Sequence, residues 1–208
     1  MRSWYRFCRR VCQAVFLTFF RGRVFGVRHV PRTGGVLLVC NHQSYLDPVL
    51  ATLALPRECH YMARDTLFGH RLFRWLIESL NAFPIKRGTA DLAGIKETLR
   101  RLRGGQLVVT FPEATRTQDG ALGSMHSGVI LLARKAGVPI VPTMILGAFE
   151  SWPRHVRLPR PHPVIVAYGP PLAPELLSRL DDEACIQQVR RCIQEMMDRY
   201  RGHSSLGG

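Results

Sequence analysis

Val36-Leu37-Leu38-Val39-Cys40 runs directly into Asn41-His42-Gln43-Ser44-Tyr45-Leu46-Asp47-Pro48, and this junction of an unbroken apolar run with a polar turn sets the architecture. A run that is apolar at every position reads as a strand covered on both faces, as strands of parallel sheets are. Pro48 disfavours helical backbone at Asp47. The polar residues therefore stand at the carboxyl end of a buried strand, where open α/β sheets gather their ligands.

The same pattern recurs along the chain. Gln106-Leu107-Val108-Val109-Thr110 is a second apolar strand and exits into Phe111-Pro112-Glu113-Ala114-Thr115-Arg116-Thr117. Val138-Pro139-Ile140-Val141-Pro142 brackets a third strand with prolines, and Val164 to Tyr168 reads as a late one. Between them, Ala90 to Leu102 reads as a helix after Gly88, and Val129 to Ala136 as a helix ending at Gly137. Pro153 to Pro163 reads as a loop, and Pro174 to Tyr200 as a long helical stretch with a break near Asp181-Asp182. Alternation of strand and helix predicts an α/β fold in a single domain, a mixed but mostly parallel sheet flanked by helices. The expected division is an amino-terminal amphipathic, membrane-associating segment over 1–23, a domain over 24–200 and a frayed tail over 201–208. At 208 residues with 46% hydrophobic and 21% charged positions, the chain has material for a sizeable core and is not a disordered protein.

Two of the strand exits carry chemistry. Histidine titrates nearest neutrality, and a carboxylate on its second ring nitrogen fixes the tautomer and stabilises the imidazolium, so His42 with Asp47 makes a general base for an alcohol. Taken alone, the spacing fits a structural histidine at a helix start better than a base. In the second exit Arg116 offers a planar fork of donors suited to phosphate, Thr115 and Thr117 offer hydroxyls, and Glu113 offers an acceptor. A surface Glu–Arg pair is the alternative there. Ser44 lies close enough to raise a serine nucleophile, but no Gly-x-Ser-x-Gly elbow accompanies it.

Two further blocks, Asn81-Ala82-Phe83-Pro84-Ile85-Lys86-Arg87-Gly88 and Val138-Pro139-Ile140-Val141-Pro142, complete an ordered set. In order and approximate spacing the four blocks resemble the motifs of the glycerolipid acyltransferase family, whose best-known members are the 1-acyl-glycerol-3-phosphate (lysophosphatidic acid) acyltransferases. The resemblance spans roughly Val24 to Gly169. It implies His42 as general base and Asp47 as its orienting partner, with Arg87, Glu113, Thr115 and Arg116 on a phosphate-bearing acceptor. It implies direct acyl transfer from a thioester donor, acyl-CoA or acyl carrier protein, to the hydroxyl of a lysophosphatidic acid-like acceptor, with no cofactor and no metal. Glycerol 3-phosphate or another lyso-lipid is the alternative acceptor. Three positions depart from the family pattern: Ala114 and Asn81 stand where glycine is usual, and His126 where lysine is usual. Ala114 places a methyl where the backbone approaches substrate and where positive φ is disfavoured.

Twenty-nine Lys and Arg against fifteen Asp and Glu give a formal net charge of +14, which demands an anionic partner. Acidic lipid and nucleic acid both qualify, and a basic nucleic-acid- or lipid-binding protein without catalysis is the reading from another class. Cations spread along the chain and no RNA-binding or zinc-finger pattern is present, so nucleic acid is not expected. Met1 to Arg10 interleaves cations with aromatics, and Val11 to Phe20 is largely apolar but about half the length needed to span a bilayer. That segment is expected to lie in the headgroup plane of an anionic membrane, which places the protein on the cytoplasmic face as a monotopic or peripheral protein. A second apolar stripe, Leu72, Phe73, Leu76 and Leu80, is read as core packing. Six cysteines without Cys-x-x-Cys pairs fit a reducing compartment.

Overall fold

The computed structural model describes residues 1–86 and 91–204. Reading from the amino terminus, helix α1 (Ser3–Thr18) precedes β1 (Arg23–Phe25), β2 (Val36–Cys40) and the one-turn α2 (Asp47–Leu50). There follow β3 (Cys59–Arg64), α3 (Arg71–Ser79), β4 (Ala82–Ile85), α4 (Leu92–Arg103), β5 (Leu107–Thr110) and α5 (Gly128–Ala136). The last elements are β6 (Ile140–Leu146), α6 (Ala148–Ser151), β7 (Ile165–Tyr168), α7 (Pro174–Arg179) and α8 (Asp182–Ser204).

Seven strands among the described residues form one sheet in the order β1-β7-β6-β2-β5-β3-β4. Every neighbouring pair is parallel except β6 with β7, so five strands share one direction and β1 and β7 oppose them. The mixed, mostly parallel α/β sheet read from sequence is the sheet observed. The alternation of β2 explains its wholly apolar composition. Leu37 and Val39 face a core built with α5 and α8, whereas Val36, Leu38 and Cys40 face a core built with α1 and α2. Helices on both faces leave the central strands without a wet side, which is why no polar alternation marks them.

Four local readings differ from expectation, the first being that α2 starts at Asp47, where Pro48 was expected to disfavour helical backbone. Strand β6 continues through Pro142 to Leu146, although Pro142 has no amide hydrogen to give a ladder. Pro142 turns its backbone towards β7, where Gly169 N donates to Pro142 O at 2.8 Å and the Ile140–Leu172 bridge resumes beyond Pro170 and Pro171. The missing donor thus falls where the partner strand bulges away. Helix α8 runs on to Ser204, past Tyr200, where the helical stretch was expected to end. The largest departure is α3, which buries no residue at all: Leu72 is 75% and Trp75 62% exposed. Its stripe does not pack in the core.

Helix α1 is two-sided. Tyr5 and Phe16 are buried, and the carbonyls of Leu55 and Leu53 accept from Arg9 and, at 2.6 Å, from Gln13. Its other face presents Phe7, 61% exposed, and Leu17, 62% exposed. Trp4 joins this face to α3, its indole Nε1 donating to Ser79 Oγ at 3.0 Å and its ring centroid lying 6.1 Å from that of Trp75. No described helix is long and apolar enough to cross a membrane.

Candidate active site

Strands β2 and β5 are parallel neighbours, Val39 opposite Thr110, so their exits emerge side by side. Asn41 ends the β2 ladder by replacing backbone with side chain: its Nδ2 donates to Ile145 O at 2.8 Å and its Oδ1 accepts from Ile145 N at 2.7 Å. The chain is thereby released from the sheet at His42 while both groups of Ile145 on β6 stay satisfied.

The turn that follows is organised by one oxygen. Asp47 Oδ2 accepts from His42 Nδ1 at 2.7 Å, from Gln43 N at 2.5 Å and from Ser44 N at 2.7 Å. Asp47 is fully buried, and burial pushes its carboxyl above the ordinary range, against the opposing pull of His42 and the two amides. With Nδ1 donating to Asp47, the basic lone pair of the ring is on Nε2. The imidazole stacks on Phe111 with centroids 4.4 Å apart and keeps 11% of its surface exposed. Ser44 is unsuited to attack as a nucleophile, since its Oγ donates to Trp152 O at 2.9 Å and the residue is wholly buried.

The β5 exit is laced to this turn. Glu113 Oε1 accepts from His42 N at 2.8 Å and Glu113 Oε2 from Gly123 N at 3.0 Å, while Thr117 N donates to His42 O at 2.9 Å. Both carboxylate oxygens of Glu113 therefore engage backbone. Burial raises the Glu113 carboxyl above its usual range, with the two amides pulling the other way. A Cβ at Gly123 would sit 2.8 Å from Glu113 Oε2, so a side chain there would push the carboxylate aside. Thr115 N closes a three-residue turn on Glu113 O at 2.7 Å, with Ala114 at its centre at φ +59°. Asn81 adopts φ +70°. Both positions where glycine is usual in the family thus occupy the left-handed region.

Arg116 lies against the turn that holds His42 and Asp47, its Cζ 3.5 Å from the centroid of the Tyr45 ring. One of its terminal nitrogens is buried without a hydrogen-bond partner among the described residues. Tyr45 in turn meets the Trp152 ring at 5.3 Å between centroids. His42, Asp47, Glu113 and Arg116 are thus brought into one continuous contact set, and Thr115 is exposed beside it. Arg87 lies outside the described residues. Phe111, Tyr45 and Trp152 join the site although sequence reasoning assigned them no role. Tyr45 and Phe111 belong to the two polar turns and could have been found there, but Trp152 carried no signal.

A sequence model described as Acyltransferase matches residues 21–146. The chain is 26% identical over 144 residues to a 1-acyl-sn-glycerol-3-phosphate acyltransferase of Bacillus subtilis, covering 69% of this chain and 71% of that protein. It is 27% identical over 186 residues to a probable 1-acyl-sn-glycerol-3-phosphate acyltransferase of Mycoplasma pneumoniae, covering 83% and 69%. With a chloroplastic relative of the same description from Arabidopsis thaliana it shares 27% identity over 156 residues, 73% of this chain but 44% of that one. In fold it matches the crystal structure of a 1-acyl-sn-glycerophosphate (LPA) acyltransferase from Thermotoga maritima, with a TM-score of 0.83 and 24% identity over 95% of this chain and 79% of the other.

Proposed function

This chain belongs to the acyltransferase family, and on that premise we propose that it moves a fatty acyl group from a thioester to the free hydroxyl of a lysophosphatidic acid-like acceptor. The observation that carries the reading is the His42–Asp47 pair, 2.7 Å apart with the carboxylate buried and both strand exits bonded around it. His42 Nε2 takes the hydroxyl proton as the acceptor oxygen attacks the thioester carbonyl. The carbon–sulfur bond then breaks, and the imidazolium returns the proton to the departing thiolate. Asp47 holds the tautomer that leaves Nε2 basic and offsets the charge on the imidazolium. No covalent acyl-enzyme is needed.

Arg116 and Arg87 hold the acceptor phosphate in this scheme, and Thr115 donates from the same loop. Anchoring the phosphate converts the reaction to one between positioned partners, which supplies several kcal/mol of the barrier. Glu113 serves as a brace that sets the height of the His42 backbone. The names of the relatives support the acceptor; the donor is acyl-CoA or acyl carrier protein. The exposed apolar faces of α1 and α3, meeting at Trp4 and Trp75 and accompanied by Arg6, Arg10, Arg71 and Arg74, seat the protein peripherally on an anionic cytoplasmic leaflet.

The test offers purified protein lysophosphatidic acid, glycerol 3-phosphate and other lyso-lipids with each donor, on vesicles with and without anionic lipid, and identifies products by mass spectrometry. Phosphatidic acid as the main product, formed faster on anionic vesicles, is the expected outcome. Thioester consumption with a different acceptor would move the assignment to that acceptor, and no consumption at all would reject it.

A further inference from the structure

Tyr45 occupies the middle of the turn that holds His42 and Asp47, yet it bonds to neither of them. Its backbone is fixed from both sides. Ser44 N is held by Asp47 Oδ2 at 2.7 Å, and Ser44 Oγ accepts from Leu46 N at 3.3 Å while donating to Trp152 O at 2.9 Å. The residue is 53% exposed, so burial does not account for an aromatic here. Its ring face lies 3.5 Å from Arg116 Cζ, and its flank is supported by Trp152 at 5.3 Å.

Arg116 needs such a support. No carboxylate pairs with it among the described residues, and one terminal nitrogen is buried without a partner. A half-buried guanidinium with one nitrogen in that condition carries a desolvation cost until an anion arrives. An aromatic face attracts the cation through its quadrupole without consuming a single N–H, so the donor edge stays available. An acidic partner would hold the same side chain and at the same time occupy the donors that a phosphate must use.

We propose that Tyr45 is a positioning residue for the acceptor phosphate: its ring holds the Arg116 guanidinium over its face without pairing it, and ties the phosphate-binding group to the turn that carries the base. The proposal rests on the reading that Arg116 binds the acceptor phosphate. Its consequence is that the distance between anchored phosphate and base is set by one short turn, so Tyr45 tunes acceptor binding much more than chemistry.

The experiment compares Tyr45→Phe, Tyr45→Leu and Tyr45→Ala. In transfer assays Tyr45→Ala and Tyr45→Leu are expected to raise KM for lysophosphatidic acid about tenfold, equivalent to about 1.4 kcal/mol, with kcat falling less than about threefold. Tyr45→Phe, which keeps the ring face, is expected to restore KM to within about twofold of the parent. Thermal melts identify any loss of folding, and comparison of Leu with Phe removes the contribution of simple packing. Equal KM for Leu and Phe would overturn the proposal, as would a fall in kcat at unchanged KM. Calorimetric binding of lysophosphatidic acid in a His42→Ala background, where there is no turnover, separates the two levels. Saturable binding that ignores Tyr45→Leu rejects the stack alone, whereas absence of binding with Tyr45 intact rejects the assignment of Arg116 to a phosphorylated acceptor and the stack with it.

Discussion

Replacing Glu113 with alanine removes the acceptors of two backbone amides at once, those of His42 at 2.8 Å and Gly123 at 3.0 Å. Hydrogen bonds to a charged acceptor contribute about 1.5–3 kcal/mol each, and an amide left without a partner costs its desolvation. Against this, the substitution relieves a carboxylate whose burial already lifts its pKa. The net loss is about 3 kcal/mol, which for a chain of this size lowers Tm by about 6–12 °C. Glu113→Gln keeps one acceptor oxygen and turns an NH2 towards the other amide, so it falls between alanine and the parent. Because the His42 backbone hangs on Oε1, kcat should drop by about 10- to 100-fold, the scale expected for a shift of about 1 Å at a reacting group. KM for the acceptor should stay within about threefold. Calorimetric melting with steady-state kinetics on a lyso-acceptor measures all three quantities. A variant that melts like the parent and raises KM tenfold or more would show that the carboxylate binds acceptor and that the brace is misassigned.

Ala114 at φ +59° carries the cost of a left-handed L-residue, about 1–2 kcal/mol, of which glycine would forfeit about 0.4–1 kcal/mol through its looser unfolded chain. Ala114→Gly is expected to stabilise by about 1 kcal/mol and raise Tm by about 2–4 °C, measured by thermal melting, and a neutral or lower Tm would contradict the strain argument. Asn81→Gly should gain nothing despite φ +70°, because its side chain bonds to Arg2 and, at 3.0 Å, to Glu58. His60 is held down to about 4 by burial and by the neighbouring Arg101 guanidinium. The unfolded chain binds a proton near pH 6.5 that the native state refuses until about 4, so this contribution to stability is present above 6.5 and lost as pH falls to 4. Urea denaturation at pH 7, 5 and 4 should show the parent losing stability relative to His60→Gln on acidification; a constant gap would contradict the assignment.

The central strands were legible because β2 and β5 are covered on both faces, and burial on two sides demands an apolar residue at nearly every one of their four or five positions. The end of β6 was not, since a proline ordinarily stops a central strand and only the bulge at Pro170-Pro171 makes Pro142 harmless. Helix α3 shows the limit of periodicity. An apolar stripe states that a helix wants an apolar neighbour but not whether that neighbour is protein, and here Leu72 and Trp75 face outwards. In the site, His42 and Asp47 lie five apart on one turn, so their meeting follows from local geometry. The stacking of Arg116 on Tyr45 joins residues 71 positions apart, and Trp152 arrives from beyond β6; both depend on the strand order β6-β2-β5, which no local pattern states. Glu113 was legible as a candidate position, but its bonds to the amides of His42 and Gly123 were not, because a carboxylate three residues before an arginine gives no hint that its oxygens turn back to backbone.

The most direct test is the single-turnover rate of acyl transfer to lysophosphatidic acid by His42→Gln beside the parent, with melting curves to verify that both are folded. A fall of about a thousandfold or more at nearly unchanged Tm is predicted, within the range that a positioned base contributes. Transfer within tenfold of the parent would show that the proton leaves the acceptor by another route.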